Sequence, residues 1–222
     1  MLISLPNPET EKKFEEYRHY LKHEAIRLAS FVNLFRRLYE RRVDRLEEMN
    51  IAPAFFQVAT DALLSAIILW VDKLFDERGK RGIFNFLMFV EQNRNILAIE
   101  QLKRRKNYPD GHWMLNRDPV TLETINGDRK CIQSLGCLQN FTTLRDKFFA
   151  HFDKKYFFDR ERLANEAPTW SDFEKVITVI SDVINRYSAA YDGQLFVLEP
   201  ENINDLDYLL DRLHTCKKSQ NS

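Results

Sequence analysis

The sequence predicts an all-α bundle of about six helices with a long first helix. Three observations carry that expectation. Over residues 8 to 49, apolar side chains recur at Phe14, Tyr17, Leu21, Ala25, Leu28, Phe31, Phe35 and Leu38 in steps of three and four, with Leu46 two turns further on, the spacing that lines one face of a helix. The 222 residues include only 6 Gly and 7 Pro, too few for the turns that a sandwich or barrel needs every ~8–12 residues. Helix start signals recur along the chain, among them Pro53 at a first helical position and Ser171 with Glu174 as a capping box.

Taken in order, residues 8 to 49 form one long amphipathic helix or two stacked end to end. Residues 54 to 77 are apolar around most of the circumference, as expected for a helix at the centre of a bundle, and end at Arg78-Gly79-Lys80-Arg81-Gly82. Residues 83 to 105 read as a third helix or two shorter ones, running from Phe84, Phe86 and Phe89 into the basic stretch Lys103-Arg104-Arg105-Lys106. Pro109-Asp110-Gly111 marks residues 107 to 118 as a loop. Asp118 with Pro119 starts the next helix, Asn126-Gly127-Asp128 is a candidate interruption, and residues 129 to 151 form a further helix. The Ser171 helix reaches about Tyr191 and turns at Asp192-Gly193. QLFVLEP is too short to define a sheet, and a last helix begins near Asn204 and ends near Cys216. No internal repeat or linker divides the chain, so residues 1 to 222 read as a single domain, with 193 to 222 a C-terminal helical extension.

Hydrophobic residues make up 44% and aromatics 13%, enough for a packed core and too much for a disordered chain. Lys plus Arg and Asp plus Glu both number 33, so no net field draws the chain to nucleic acid or to an anionic membrane, and a nucleic-acid site must be local. Cys131, Cys137 and Cys216 lack the close pairs of a zinc site and read as reduced packing residues in a cytosolic setting. MLISLPNPET has neither a basic n-region nor a long apolar h-region. The longest apolar run, ALLSAIILWV, is bounded by Asp61 and Asp72, short of the ~20 residues that span a bilayer. The expectation is a soluble cytoplasmic protein without a membrane partner.

One stretch carries chemistry. Residues 144 to 159, LRDKFFAHFDKKYFFD, set Arg145, Asp146, His151 and Asp153 among aromatic residues. Cleaving RNA without a metal needs a group that takes a proton from the ribose 2′-hydroxyl, one that protonates the leaving 5′-oxygen, and a fixed positive charge for the pentacoordinate phosphorus. Histidine, with an ordinary pKa of ~6.5, both takes and gives a proton near neutrality. A guanidinium stays charged and offers a fork of donors to two phosphate oxygens. On one helix, six steps turn His151 about 120° from Arg145 and set the backbones about 9 Å apart. The two converge if the helix ends at His151, or if a second copy meets it across a two-fold axis, and the geometry favours a dimer. Phe148, Phe149, Phe152, Tyr156, Phe157 and Phe158 offer a low-dielectric wall for base stacking, while Lys154 and Lys155 are placed to hold flanking phosphates.

With Asp153 following, Arg145-Asp146-Lys147-Phe148-Phe149-Ala150-His151 resembles the HEPN superfamily signature of Arg, a polar residue, a short spacer and His, and LRDKxxAHxD is similar to its abortive-infection branch of the AbiU type. The upstream segment LWVDKLFDE, with Asp72 and Asp76 one helical turn apart, is similar to the first inner helix of that branch. The resemblance covers residues 10 to 190. It implies an all-helical bundle that dimerises through its motif helices and acts as a metal-independent endoribonuclease leaving a 2′,3′-cyclic phosphate, in phage defence or a toxin-antitoxin system. By position it assigns Arg145 to the phosphate, Asp146 to orienting the site and His151 to acid or base work. Lys147, Asp153, Lys154, Lys155 and Tyr156 are candidate substrate contacts. The residue after Arg is often Asn in active members, so Asp146 instead raises the prospect of an ion pair with Arg145.

The bland alternatives are concrete. Arg145 with Asp146 or Asp153 reads equally as a salt-bridged helix terminus. Asp72 and Asp76 read as a capped or solvated helix edge rather than a metal pair, and His19 and His23 have zinc spacing but no evident third ligand. Lys103 to Lys106 is either a solvated helix end or a guide for RNA. The sequence therefore predicts an RNA-cleaving homodimer without metal or cofactor, whose partners are RNA and an antitoxin protein. The alternative is a catalytically silent helical module that binds RNA, a nucleotide or a partner protein.

Overall fold

The computed structural model describes residues 7–79, 81–146 and 167–220. Among them the chain forms nine α-helices and no strand: α1 (Pro8–Asp44), α2 (Leu46–Met49), α3 (Pro53–Phe75), α4 (Ile83–Gln92), α5 (Ile99–Lys106), α6 (Leu122–Gln133), α7 (Cys137–Leu144), α8 (Trp170–Asp192) and α9 (Asp205–Gln220), with 3-10 turns at Arg94–Leu97 and Trp113–Asn116. The number exceeds six because several expected helices are broken in two.

α1 is the spine. Asn7 caps it by accepting the Glu9 amide proton, Pro8 opens it, and Glu9 with Glu11 at the start and Arg41 with Arg42 at the end complement its dipole. Its 37 residues span roughly 55 Å. The buried row Phe14, Leu21, Ala25, Leu28 and Val32 packs into one core with α3, α4, α7 and α8. Phe14 stacks on Tyr191 at 4.4 Å between ring centroids, and Phe86 meets the fully buried Tyr187 edge-on at 5.5 Å. The Tyr187 hydroxyl donates to Asp128 at 2.7 Å, which gives that buried carboxylate a partner.

The end of α8 is held by two guanidiniums. Arg105 donates to the Tyr191 carbonyl and to Glu11, and Arg117 donates to the carbonyls of Ala190 and Leu97. Both supply positive charge where the helix dipole is negative. Gly193 closes α8 with φ 77°, the left-handed cap that a residue lacking Cβ adopts without strain. Beyond it, α9 rests on a separate small cluster of Leu38, Met49, Phe56, Leu206 and Leu210. Around that cluster Asp207 bridges Arg37 and Arg41, Asp211 meets Arg45, His214 meets Glu48 and Lys217 meets Glu47.

Several boundaries differ from expectation. Residues 8 to 49 divide at Arg45, and 83 to 105 divide around a 3-10 turn, both within the stated alternatives. The helix expected at Asp118 starts at Leu122, because Thr121 and Thr124 form a reciprocal capping box, and it runs through Asn126-Gly127-Asp128 without interruption. The helix expected over 129 to 151 breaks at Ser134, and α7 starts afresh at Cys137. The cap of α8 is Thr169 with Asp172, not Ser171 with Glu174, and α9 extends to Gln220. Only Cys137 is buried, whereas Cys131 and Cys216 are exposed.

α3 is less central than its composition suggests: Phe55, Val58 and Leu69 face outwards while Phe56, Ile67, Ile68, Val71 and Leu74 face the core. Its 23 residues are long and apolar enough to cross a membrane by length and composition alone. The helix extends past ALLSAIILWV on both sides, and one face is packed against α1 and α7. A core helix of a soluble protein meets the same criterion.

Candidate functional site

Arg145 stands where α7 meets α3. Cys137, Phe141 and Leu144 recur at helical spacing and bury one face of α7 in the core, which docks α7 against α3. Arg145 and Asp146 prolong α7 in a wider π-type turn. That turn brings the guanidinium to the last turns of α3, where Nη1 donates to Asp72 Oδ1 and Nε donates to Asp146 Oδ1 at 2.7 Å. A guanidinium carries five N–H donors, so donors remain beyond these two bonds.

The side chain of Arg145 is 28% exposed and that of Asp72 26%. They border an open cleft of about 300 Å³ that also takes in Phe75, Asp76, Arg78 and Thr142. Asp76 ends α3 and accepts the Arg78 amide proton at 2.9 Å, which starts the loop that follows. The loop folds back so tightly that a Cβ on Gly82 would lie 2.8 Å from the Leu74 carbonyl oxygen. Among the described residues at this cleft, the carboxylates of Asp72, Asp76, Glu77 and Asp146 outnumber the cations Arg78 and Arg145. Its described wall alone is therefore not a strong phosphate attractor.

Of the sequence-predicted site residues, the structure brings Arg145 and Asp146 together, and the ion pair that Asp146 raised is present. Lys147, His151, Asp153, Lys154, Lys155 and Tyr156 lie outside the described residues. Asp72, read from sequence as a solvated or capped edge, instead anchors Arg145. Asp72 lies one turn before Asp76, the residue that ends α3, and no feature of the sequence marks it as the partner of Arg145. A second polar cluster was also missed: Glu24, buried on α1, accepts from Trp70 Nε1 at 2.7 Å and from Lys73 Nζ at 2.9 Å.

The remaining candidates resolve structurally. Lys103 pairs with Asp110, Arg104 and Arg105 pair with Glu11, and the basic end of α5 is thereby tied to its own fold. The exposed His19 and His23 rings lie 4.2 Å apart, and among the described residues no group of three or more His, Cys, Asp or Glu could hold a metal ion.

Comparison with known proteins places these features in context. The family model described as AbiU2 (HEPN_AbiU2) matches residues 11–212, a span that takes in all nine helices at least in part and the whole Arg-to-His stretch. No curated protein and no solved structure matches the chain.

Proposed function

The chain belongs to the AbiU2 family of HEPN domains, and from that premise we propose that it is a metal-independent endoribonuclease acting in abortive infection or as the toxin of a toxin-antitoxin pair. The observation that carries this reading is the fixed guanidinium of Arg145 at the edge of an open cleft, oriented by Asp72 and Asp146. Held in that way, it has donors left for a non-bridging phosphate oxygen. The ribose 2′-oxygen attacks phosphorus as its proton passes to a base, the 5′-oxygen leaves as it is protonated, and the products are a 2′,3′-cyclic phosphate and a 5′-hydroxyl. His151 takes the acid or base role, six positions along the chain from Arg145. A second copy supplies the second Arg145 and His151 to a shared cleft. Lys147, Lys154 and Lys155 supply the positive charge that the described wall lacks.

A second reading draws on the same contacts. Two carboxylates against one guanidinium neutralise it, which suits a silent module that binds without cleaving. The experiment separates the two: total RNA is incubated in chelator with the wild type, Arg145→Ala and His151→Ala, and fragments ending in cyclic phosphate are counted. The nuclease reading expects cleavage by the wild type and a loss of at least about a hundredfold in each variant. Wild-type activity in either variant removes that residue's role, and RNA binding by the wild type without fragments decides for the module.

A further inference from the structure

Three hollows on the surface join end to end. The Arg145 cleft shares Asp76 with a second hollow of about 410 Å³, lined by Tyr20, Lys73, Asp76, Gly79 and Arg81. That one shares Tyr20 and Arg81 with a third, of about 310 Å³, lined by Lys13, Glu16, Tyr17, Tyr20 and Arg81. The result is a groove that leaves the cleft, passes the loop after α3 and runs along α1 from Tyr20 back to Lys13.

The side chains in the groove have the chemistry of a nucleic-acid strand path. Among the described residues, Lys13 and Arg81 form no ion pair, whereas the carboxylate of Glu16 is within 3.9 Å of Lys12 and Asp76 accepts a backbone amide proton. Lys73 is fixed by Glu24 and lies 5.4 Å from the Tyr20 ring centroid. Tyr17 and Tyr20 are half-buried, Tyr17 being braced by Phe86 and Phe89, so each ring is held while part of it stays accessible. From Lys13 to Tyr20 the helix rises about 10 Å, roughly two turns. Cations spaced along a line with aromatic rings between them match a sugar-phosphate backbone with splayed bases.

We propose that this groove, from Arg81 to Lys13, is a binding track for single-stranded RNA flanking the cleavage position. Lys13 and Arg81 neutralise phosphates, Tyr17 and Tyr20 offer faces for bases, and Lys73, held by Glu24, supports the Tyr20 ring. The track rests on the ribonuclease reading for the strand's identity as RNA. Its test is independent of cleavage, because a strand with 2′-O-methyl riboses has no attacking hydroxyl.

The experiment measures fluorescence anisotropy of a short, labelled 2′-O-methyl RNA over a series of salt concentrations in chelator, with the wild type, the double variant Lys13→Glu/Arg81→Glu, and Lys130→Glu on α6, outside the groove, as control. All three substituted positions are exposed, and circular dichroism verifies the fold. The double variant is expected to raise Kd at least about tenfold and to flatten the salt slope by about 1.4, that is ~0.7 for each of two lost phosphate contacts, while the control matches the wild type. Equal affinity and slope in wild type and double variant overturn the track, as does a wild type that binds no single strand. An oligoglutamate peptide of matched charge that binds as tightly as the RNA overturns it too, because that result assigns the groove to acidic protein partners.

Discussion

Nη1 of Arg145 donates to the carboxylate of Asp72, 73 positions earlier in the chain, so the start of the motif is locked to the end of α3 rather than to its own helix alone. Both side chains are partly exposed, and the pair contributes at most ~1 kcal/mol to stability. Its larger effect is on position. Asp72→Ala is expected to leave the protein folded and RNA affinity unchanged or tighter, since one negative charge is lost, while single-turnover cleavage at saturating RNA falls at least about tenfold. Wild-type cleavage by this variant would reduce the contact to a structural one.

Tyr187 is a stability anchor without a place in the proposed chemistry. Its hydroxyl lies 2.7 Å from Asp128, and burial, reinforced by that carboxylate, pushes the phenol far above its ordinary pKa. Tyr187→Phe removes the donor and leaves Asp128 buried, at a cost of about 1–3 kcal/mol. A urea titration reads this as a lower midpoint at unchanged slope.

Acid is expected to loosen α9. The hydrogen bond from Arg41, together with the charges of Arg41 and Arg37, holds the Asp207 carboxyl below its ordinary pKa despite partial burial. A carboxyl depressed in the folded state contributes stability that is fully present above the unfolded value of ~3.9 and lost as pH falls through the folded one. Hydrogen exchange over residues 205–211, around Asp207, should therefore accelerate below about pH 4 beyond the change in the intrinsic rate. Asp207→Asn should show raised exchange at every pH and a weaker acid response.

Gly193→Ala tests the end of α8. The backbone there has φ 77°, and an added Cβ would lie 2.9 Å from Met114 Cε. The left-handed conformation alone costs about 1–2 kcal/mol with a side chain, whereas Met114 Cε, the far end of a flexible side chain, can move aside. The melting temperature is expected to drop by several degrees, and a variant as stable as the wild type would show that the turn relaxes freely.

Long-range order along the chain was legible where apolar spacing and caps agree. The 3–4 rhythm of α1 and Pro53 at the head of α3 located those elements, and Gly193 located the end of α8. Local punctuation misled where tertiary partners override it. Asn126-Gly127-Asp128 has turn composition, yet it stays helical because Tyr187 and Arg186 engage Asp128 and Gly127 faces open space. Asp118-Pro119 resembles a helix start, but the reciprocal Thr121 and Thr124 bonds set the boundary. The site was legible as a motif and illegible as a contact. Nothing between positions 72 and 145 signals that an acid and a guanidinium so far apart in sequence will meet, since that follows from the docking of α7 on α3.

The ion pairs and hydrogen bonds that seat α9 follow an order. Its acidic first half lies on Arg37, Arg41 and Arg45, and its later His214 and Lys217 lie on Glu48 and Glu47. From Asp207 to His214 the numbers rise together on both sides, so the last helix runs parallel to the end of α1 and α2. Turned end for end, the same helix would set aspartates against glutamates and a lysine against arginines, while its leucines would still find grease to sit in. Charge, not the apolar cluster, tells this helix which way to lie.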